Sequence, residues 1–106
     1  MLTWEILYDS FSKNPRNVKT YPLSKTMPKW FYAYSNGSAI CIENARGKQP
    51  SCTLTATRKL EHDKFTEVYE IYLRRETGDS VSKEITKVTQ QSSYWYGVIN
   101  AFVHGK

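Results

Sequence analysis

The spacing of hydrophobic positions changes along the chain, and each spacing predicts a different kind of element. Over residues 3–13, Trp4, Leu7 and Phe11 recur at intervals of three and four, which places them on one face of a short helix. Residues 14–29 show no such period. They contain three prolines and several basic side chains, so we expect an irregular, basic connection there.

Two β-prone runs follow, over residues 30–34 and 39–42, on either side of a turn segment at 35–38. The turn contains Asn-Gly, which tolerates the positive φ angles of a type I′ hairpin loop. A third run, over residues 51–58, alternates threonines with small or apolar residues. Together these runs predict a three-stranded antiparallel meander.

The hairpin turn predicts a register in which Ala33 pairs with Ile40 and Phe31 with Ile42. Because successive side chains of a strand point to opposite faces of a sheet, these four residues share one face. The opposite face then carries the other side chains of both runs, which are Trp30, Tyr32, Tyr34, Ala39 and Cys41.

From residue 60 onward the hydrophobic period is helical. We expect a helix of about fifteen residues that ends near Gly78, a short helix over 81–89, and a final helix that Ser92 or Ser93 caps. The first and last of these helices have apolar stripes formed by Phe65, Val68, Tyr69 and Tyr72, and by Trp95, Val98, Ile99 and Phe102.

The predicted fold is therefore one α+β domain over residues 1–106: an N-terminal helix, a three-stranded antiparallel β-meander, and two or three C-terminal helices packed on one sheet face. A chain of this length can hold one core without disulfides or metals. The N-terminus lacks the pattern of a secretory signal, and the longest apolar run, at 30–34, is far shorter than the ~20 residues that span a bilayer. We expect a cytoplasmic protein with no membrane partner.

Positive charge is concentrated in one part of the chain. The formal net charge is +5, but residues 10–60 carry nine Lys and Arg side chains against Glu43 alone, a net of +8. Such an asymmetry favours an anionic partner for the basic segment.

The aromatic face of the hairpin lies within that basic segment. In complexes with single-stranded nucleic acids, bases stack on aromatic rings while cations meet the phosphates. Our leading interpretation is a small non-enzymatic module that binds nucleic acid, DNA or RNA, through this basic, aromatic-rich β half. Trp30, Tyr32 and Tyr34 would stack on bases. The phosphate contacts would come from Lys25, Lys29, Arg46, Lys48, Arg58 and Lys59.

Other interpretations use the same residues. The aromatic face could be core, packed under the N-terminal helix through Trp4 and Phe11. It could also be the interface of a protein partner or of a homodimer, since such interfaces are rich in tyrosine, tryptophan and arginine. A small metal-free ribonuclease of toxin type is a further alternative, because Lys, Arg, Tyr and His side chains can cleave phosphodiesters.

The remaining motifs are weak. His62, His104, Cys41 and Cys52 do not make up a metal-ligand set, and we assign no catalytic residue, no metal and no cofactor. The two cysteines could lie opposite each other in the sheet as buried, reduced thiols. Residues 79–104 superficially resemble a helix-turn-helix, but this half of the chain lacks a basic excess, which favours ordinary helical packing.

Overall fold

The structure is a computed structural model that describes residues 2–21 and 27–104. Across these residues one helix precedes a four-stranded antiparallel sheet and three helices follow it. The strands lie in the order β1-β2-β3-β4. The α+β class is confirmed, with one strand more than the sequence predicts. In chain order the elements are α1 (Trp4–Lys13), β1 (Arg16–Lys19), β2 (Trp30–Asn36), β3 (Ala39–Asn44), β4 (Arg58–Glu61), α2 (His62–Glu76), α3 (Ser82–Val88) and α4 (Ser92–His104).

The additional strand, β1, lies where the sequence predicts an irregular connection. It pairs with β2, so that Val18 stands opposite Phe31 and Lys19 opposite Trp30. A four-residue strand with one buried apolar side chain is too short to show a period, and its charged residues suit the edge of a sheet. The prediction of an irregular connection over residues 14–29 is therefore wrong at β1. Residues 22–26 of that predicted connection lie outside the described residues.

The hairpin between β2 and β3 turns one residue later than predicted. Its loop is Gly37-Ser38, and both predicted pairs are wrong, since Ala33 pairs with Ile42 and Phe31 with Asn44. Gly37 has φ +67°, whereas no non-glycine residue in the described ranges has a positive φ. Positive φ at the first loop position alone is the pattern of a type II′ turn. The register moves by two residues, so each side chain keeps its predicted face.

The last strand is also displaced from its predicted position. The sequence predicts it over residues 51–58, but β4 is Arg58–Glu61. The alternating threonines belong to a connection that Asn44 holds with its side chain, through hydrogen bonds of 2.7 and 3.4 Å to the backbone of Leu54. Alternation of residue types also occurs in such connections, so it did not locate the strand.

The helices pack on the sheet face that Phe31 and Ala33 share. Ser35, on this face, donates its hydroxyl hydrogen bond to the carbonyl oxygen of Tyr8 in α1 at 2.6 Å. The core alternative for the aromatic face, in which α1 would cover it, is therefore wrong. The sheet side chains buried beneath the helices include Phe31, Ala33, Ile40, Ile42 and Leu60. No helix in the described ranges is long and apolar enough to cross a bilayer.

The three C-terminal helices follow the prediction closely. α2 has fifteen residues. Gly78, with φ +98°, ends it by donating its N–H to the carbonyl oxygen of Arg75, while Asp79 donates to that of Arg74. This pair of hydrogen bonds is a Schellman cap. α4 begins at Ser92, one of the two serines predicted to cap it, so Ser92 is its first helical residue and not the capping residue before it.

Gly97 sets the distance between α4 and the sheet. A Cβ atom at this position would lie 2.6 Å from the carbonyl oxygen of Lys19 and 3.1 Å from the ring of Phe31. The first neighbour is backbone and the second is a fully buried ring, so neither can move freely. The helix can approach β1 this closely because glycine has no side chain.

We expect Gly97→Ala to lower the free energy of unfolding by about 1–2 kcal/mol, because overpacking of the contact outweighs the better helix propensity of alanine. Urea denaturation of both proteins measures the difference. Val103→Ala, at an exposed position of the same helix, is the control and should change stability little. Equal or greater stability of Gly97→Ala would contradict the close packing of α4 on β1.

Candidate nucleic-acid interface

The sheet face opposite the helices, which we call the outer face, carries Trp30, Tyr32 and Tyr34 in a row along β2. All three side chains are half-buried. The ring centroids of Tyr32 and Tyr34 are 5.9 Å apart, with their planes tilted by 40°. Because the described helices lie on the other face, this row borders solvent and not a helix.

Arg46 is held over the ring of Tyr32 by a two-point hydrogen bond. Asn17, which stands opposite Tyr32 in the sheet, donates from Nδ2 to the carbonyl oxygen of Arg46 at 2.7 Å. Its Oδ1 accepts the N–H of Arg46 at 2.9 Å. The guanidinium carbon then lies 4.0 Å from the ring centroid of Tyr32. The loop after β3 is thus tied to β1, and the cation is positioned by the backbone.

Two further cations flank Trp30. The Nζ atom of Lys19 lies 5.1 Å from the centroid of the indole ring, and that of Lys48 lies 5.2 Å from it. Both distances are within the ~6 Å over which an ammonium group is attracted by a ring face. Each aromatic ring at this end of the row is therefore paired with positive charge.

At the other end of the row, Tyr34 is paired with a carboxylate. Its hydroxyl donates to Oε2 of Glu43 at 2.6 Å, and the hydroxyl of Thr57 donates to the same oxygen at 3.2 Å. The hydrogen bond to Glu43 raises the pKa of Tyr34 to about 12. The same bond lowers the pKa of Glu43 below its ordinary value. Glu43 is therefore ionised at neutral pH and acts only as a hydrogen-bond acceptor.

Most of the predicted site residues come together. Three of them do not join the others. Lys29 lines a separate cleft with Cys52 and Tyr94, and Lys25 lies outside the described residues. Arg58 pairs with Ile42 and so belongs to the helical side of the sheet. The predicted residues on the outer face or directly above it are Trp30, Tyr32, Tyr34, Arg46, Lys48 and Lys59.

Three further members of this face were not predicted from the sequence: Lys19, Asn17 and Glu43. The first two belong to β1, and their only signal was the alternation of polar residues around Val18. The described outer face carries cations at Lys19, Arg46, Lys48 and Lys59 and carboxylates at Glu43 and Glu61. Its positive excess is therefore smaller than that of the segment from which it is built.

The other candidate residues lie away from this face. His62 stacks on Trp4, with ring centroids 5.5 Å apart, on the helical side of the molecule. At the start of α4, Ser92 is buried, and the ring of Tyr94 meets Phe31 edge-on at 5.2 Å. The residues that a helix-turn-helix would present to DNA thus face the protein's own sheet.

The cysteines are free and buried, as expected, but they are not paired across the sheet. Cys41 stands opposite Lys59 in the ladder. Cys52 instead hydrogen-bonds through its backbone to Trp30. Among the described residues, no group of three or more His, Cys, Asp or Glu side chains is arranged to hold a metal ion.

A groove of about 390 Å³ lies between the start of α1 and α2. Its walls include the apolar side chains of Trp4, Phe65 and Leu73, and its lining carries the carboxylates of Glu5 and Glu70. Such a groove would repel a polyanion, so the outer face of the sheet is the better candidate for a nucleic-acid interface.

Comparison of the chain with protein-family models, curated proteins and solved structures finds no match.

The Tyr34–Glu43 hydrogen bond predicts a specific titration. It requires a protonated phenol and an ionised carboxylate, so it is lost as pH rises through the Tyr34 pKa of about 12, or falls through the lowered pKa of Glu43. Glu43→Gln should lower the Tyr34 pKa toward its ordinary value of 10. NMR of ring-labelled tyrosine measures this shift. Glu61→Gln, a control elsewhere on the outer face, should leave it unchanged. If both variants move the pKa equally, the assigned pair is wrong.

Proposed function

We propose that this protein is a non-enzymatic module that binds single-stranded nucleic acid across the outer face of its sheet. The observation that carries the proposal is the row of Trp30, Tyr32 and Tyr34 on the face opposite the described helices, with Lys19, Lys48 and Arg46 over the rings. Single-strand binding surfaces combine these two features, stacking rings and cations.

The spacing of the row suits a single strand. Alternate residues of a strand are roughly 6.6 Å apart, so neighbouring rings can each contact a different base of an extended strand. The bases of a duplex are stacked inside the helix and cannot reach rings that lie on a flat sheet. The proposed ligand is therefore a single strand, or the unpaired part of a larger nucleic acid.

The cations over the rings can serve the same ligand in two ways. A base can stack on a guanidinium plane as well as on an aromatic ring, so Arg46 over Tyr32 offers a stacking surface. Lys19 and Lys48 are exposed and have long side chains, so their ammonium groups can follow phosphates along the edge of the row.

Binding should weaken with added salt, because each neutralised phosphate of a single strand lowers the slope of log K against log salt by about 0.7. Three or four contacts predict a slope of roughly −2 to −3. Replacing Lys19 and Lys48 together by Gln should bring this slope closer to zero by about 1.4. Fluorescence anisotropy with a labelled oligonucleotide of about ten nucleotides measures the slope.

The matched control is the double change Lys64→Gln and Lys83→Gln, which removes two exposed lysines from α2 and α3. It alters the net charge equally but leaves the outer face intact, so the slope should stay nearly the same. A flat salt dependence of the unaltered protein would rule out a phosphate-binding face.

Tyr32→Leu should weaken binding by roughly 5- to 150-fold, since each stacked base contributes about 1–3 kcal/mol. Thermal denaturation should show that the variant remains folded, and Tyr69→Leu on α2 provides a control at a half-buried tyrosine of the helical side. The mass of the protein should be measured in solution at two concentrations. If the unaltered protein is a dimer that binds no oligonucleotide, and Tyr32→Leu dissociates this dimer, then the outer face is a self-association interface instead.

A further inference from the structure

A shallow depression of about 270 Å³ lies beside Glu43, which stands opposite Tyr32 on the neighbouring strand β3. Its lining includes Glu43, Asn44, Thr55 and Thr57, so it is mostly polar. The wall is fixed, because the side chain of Asn44 both donates to and accepts from the backbone of Leu54. The depression is thus preformed, and it is smaller than pockets that hold drug-sized ligands, which favours a single ring.

The Glu43 carboxylate in this depression retains accepting capacity. Its Oε2 atom accepts the hydroxyls of Tyr34 and Thr57. Among the described residues, Oε1 is paired only with Nη2 of Arg46, at 3.6 Å, which is longer than a hydrogen bond. The hydrogen bond from Tyr34 keeps the pKa of Glu43 low, so the group is ionised. An ionised carboxylate accepts and never donates, so its complement on a base is an amino group.

We propose that this depression binds the base of a cytosine in a single strand, with Oε1 of Glu43 accepting a hydrogen bond from the cytosine amino group. The inference rests on the proposed function. Carboxylate side chains pair with this amino group in base recognition. Uracil has a carbonyl oxygen at the same ring position, so it would place two acceptors against each other there. The site therefore discriminates between the two pyrimidines.

A second depression supplies cations beside the first. Its lining includes Arg58 and Lys59, and it shares residues 55–57 with the Glu43 depression, so the two are adjacent. Both cationic side chains are exposed. A nucleotide whose base lies against Glu43 can therefore place its phosphate near Lys59, which is on the outer face, whereas Arg58 lies on the helical side of the ladder.

The test compares oligodeoxycytidine with oligodeoxyuridine of about ten nucleotides, because the two share a backbone and similar ring size. Binding is measured by anisotropy at neutral pH for the unaltered protein, for Glu43→Gln, and for the control Glu61→Gln. The unaltered protein should bind the cytosine strand about fivefold or more tightly, as expected for one charge-assisted hydrogen bond at a half-exposed site.

Both variants remove one negative charge from the outer face, so both should strengthen general binding to a similar extent. Only Glu43→Gln should abolish the cytosine preference, because glutamine can turn either its carbonyl oxygen or its amino group toward the base. Two outcomes would overturn this inference: equal binding of both strands by the unaltered protein, or a cytosine preference that survives Glu43→Gln. Either outcome leaves the proposed function intact. Absence of binding to either strand would overturn both.

Discussion

Phe31 and Ala33 point into the core while Trp30, Tyr32 and Tyr34 point away from it, because successive side chains of β2 occupy opposite faces of the sheet. The fully buried ring of Phe31 lies against α4, which comes close enough because residue 97 is glycine. α1 and α2 contribute their apolar stripes to the same core. Since the helices bury their apolar residues on that face, the aromatic side chains of the other face are left to pack among themselves.

The side chains of the outer face pack against one another, since the described helices all lie on the other face of the sheet. Ala39 and Cys41 are nevertheless buried there, because small side chains beside large rings are shielded from water. Each ring of the row has a charged or polar neighbour: Lys19 and Lys48 at Trp30, Arg46 at Tyr32, and Glu43 at Tyr34. Cation–π contacts at exposed sites contribute about 0.5–1 kcal/mol each, which offsets part of the cost of leaving aromatic surface in water.

The sequence allowed prediction of which aromatic residues share the outer face. It did not allow prediction of β1, of the hairpin register or of the contacts that hold Arg46. The apolar stripe of α2 recurs at helical spacing over residues 65–72, about two turns, and is visible in the sequence. The strand β1 has one apolar residue in four, so it shows no such period. The hairpin register was wrong, yet an error of two residues preserves the faces, so the aromatic row was predicted correctly. The position of Arg46 depends on Asn17, which lies 29 residues from it in the chain, and no local pattern encodes such a contact.

On the proposed function, this arrangement changes what the charge of the chain implies. A segment of net charge +8 suggests recognition dominated by phosphates, which would be strong and indifferent to sequence. Among the described residues, the outer face instead mixes four cations with two carboxylates. Hydrogen bonds and an ion pair fix Arg46 and Glu43 beside the rings. Phosphate contacts position a nucleic acid, and base contacts specify it. Carboxylates repel phosphates, but they can accept hydrogen bonds from bases. A face of this composition therefore favours selectivity among bases over affinity for any polyanion.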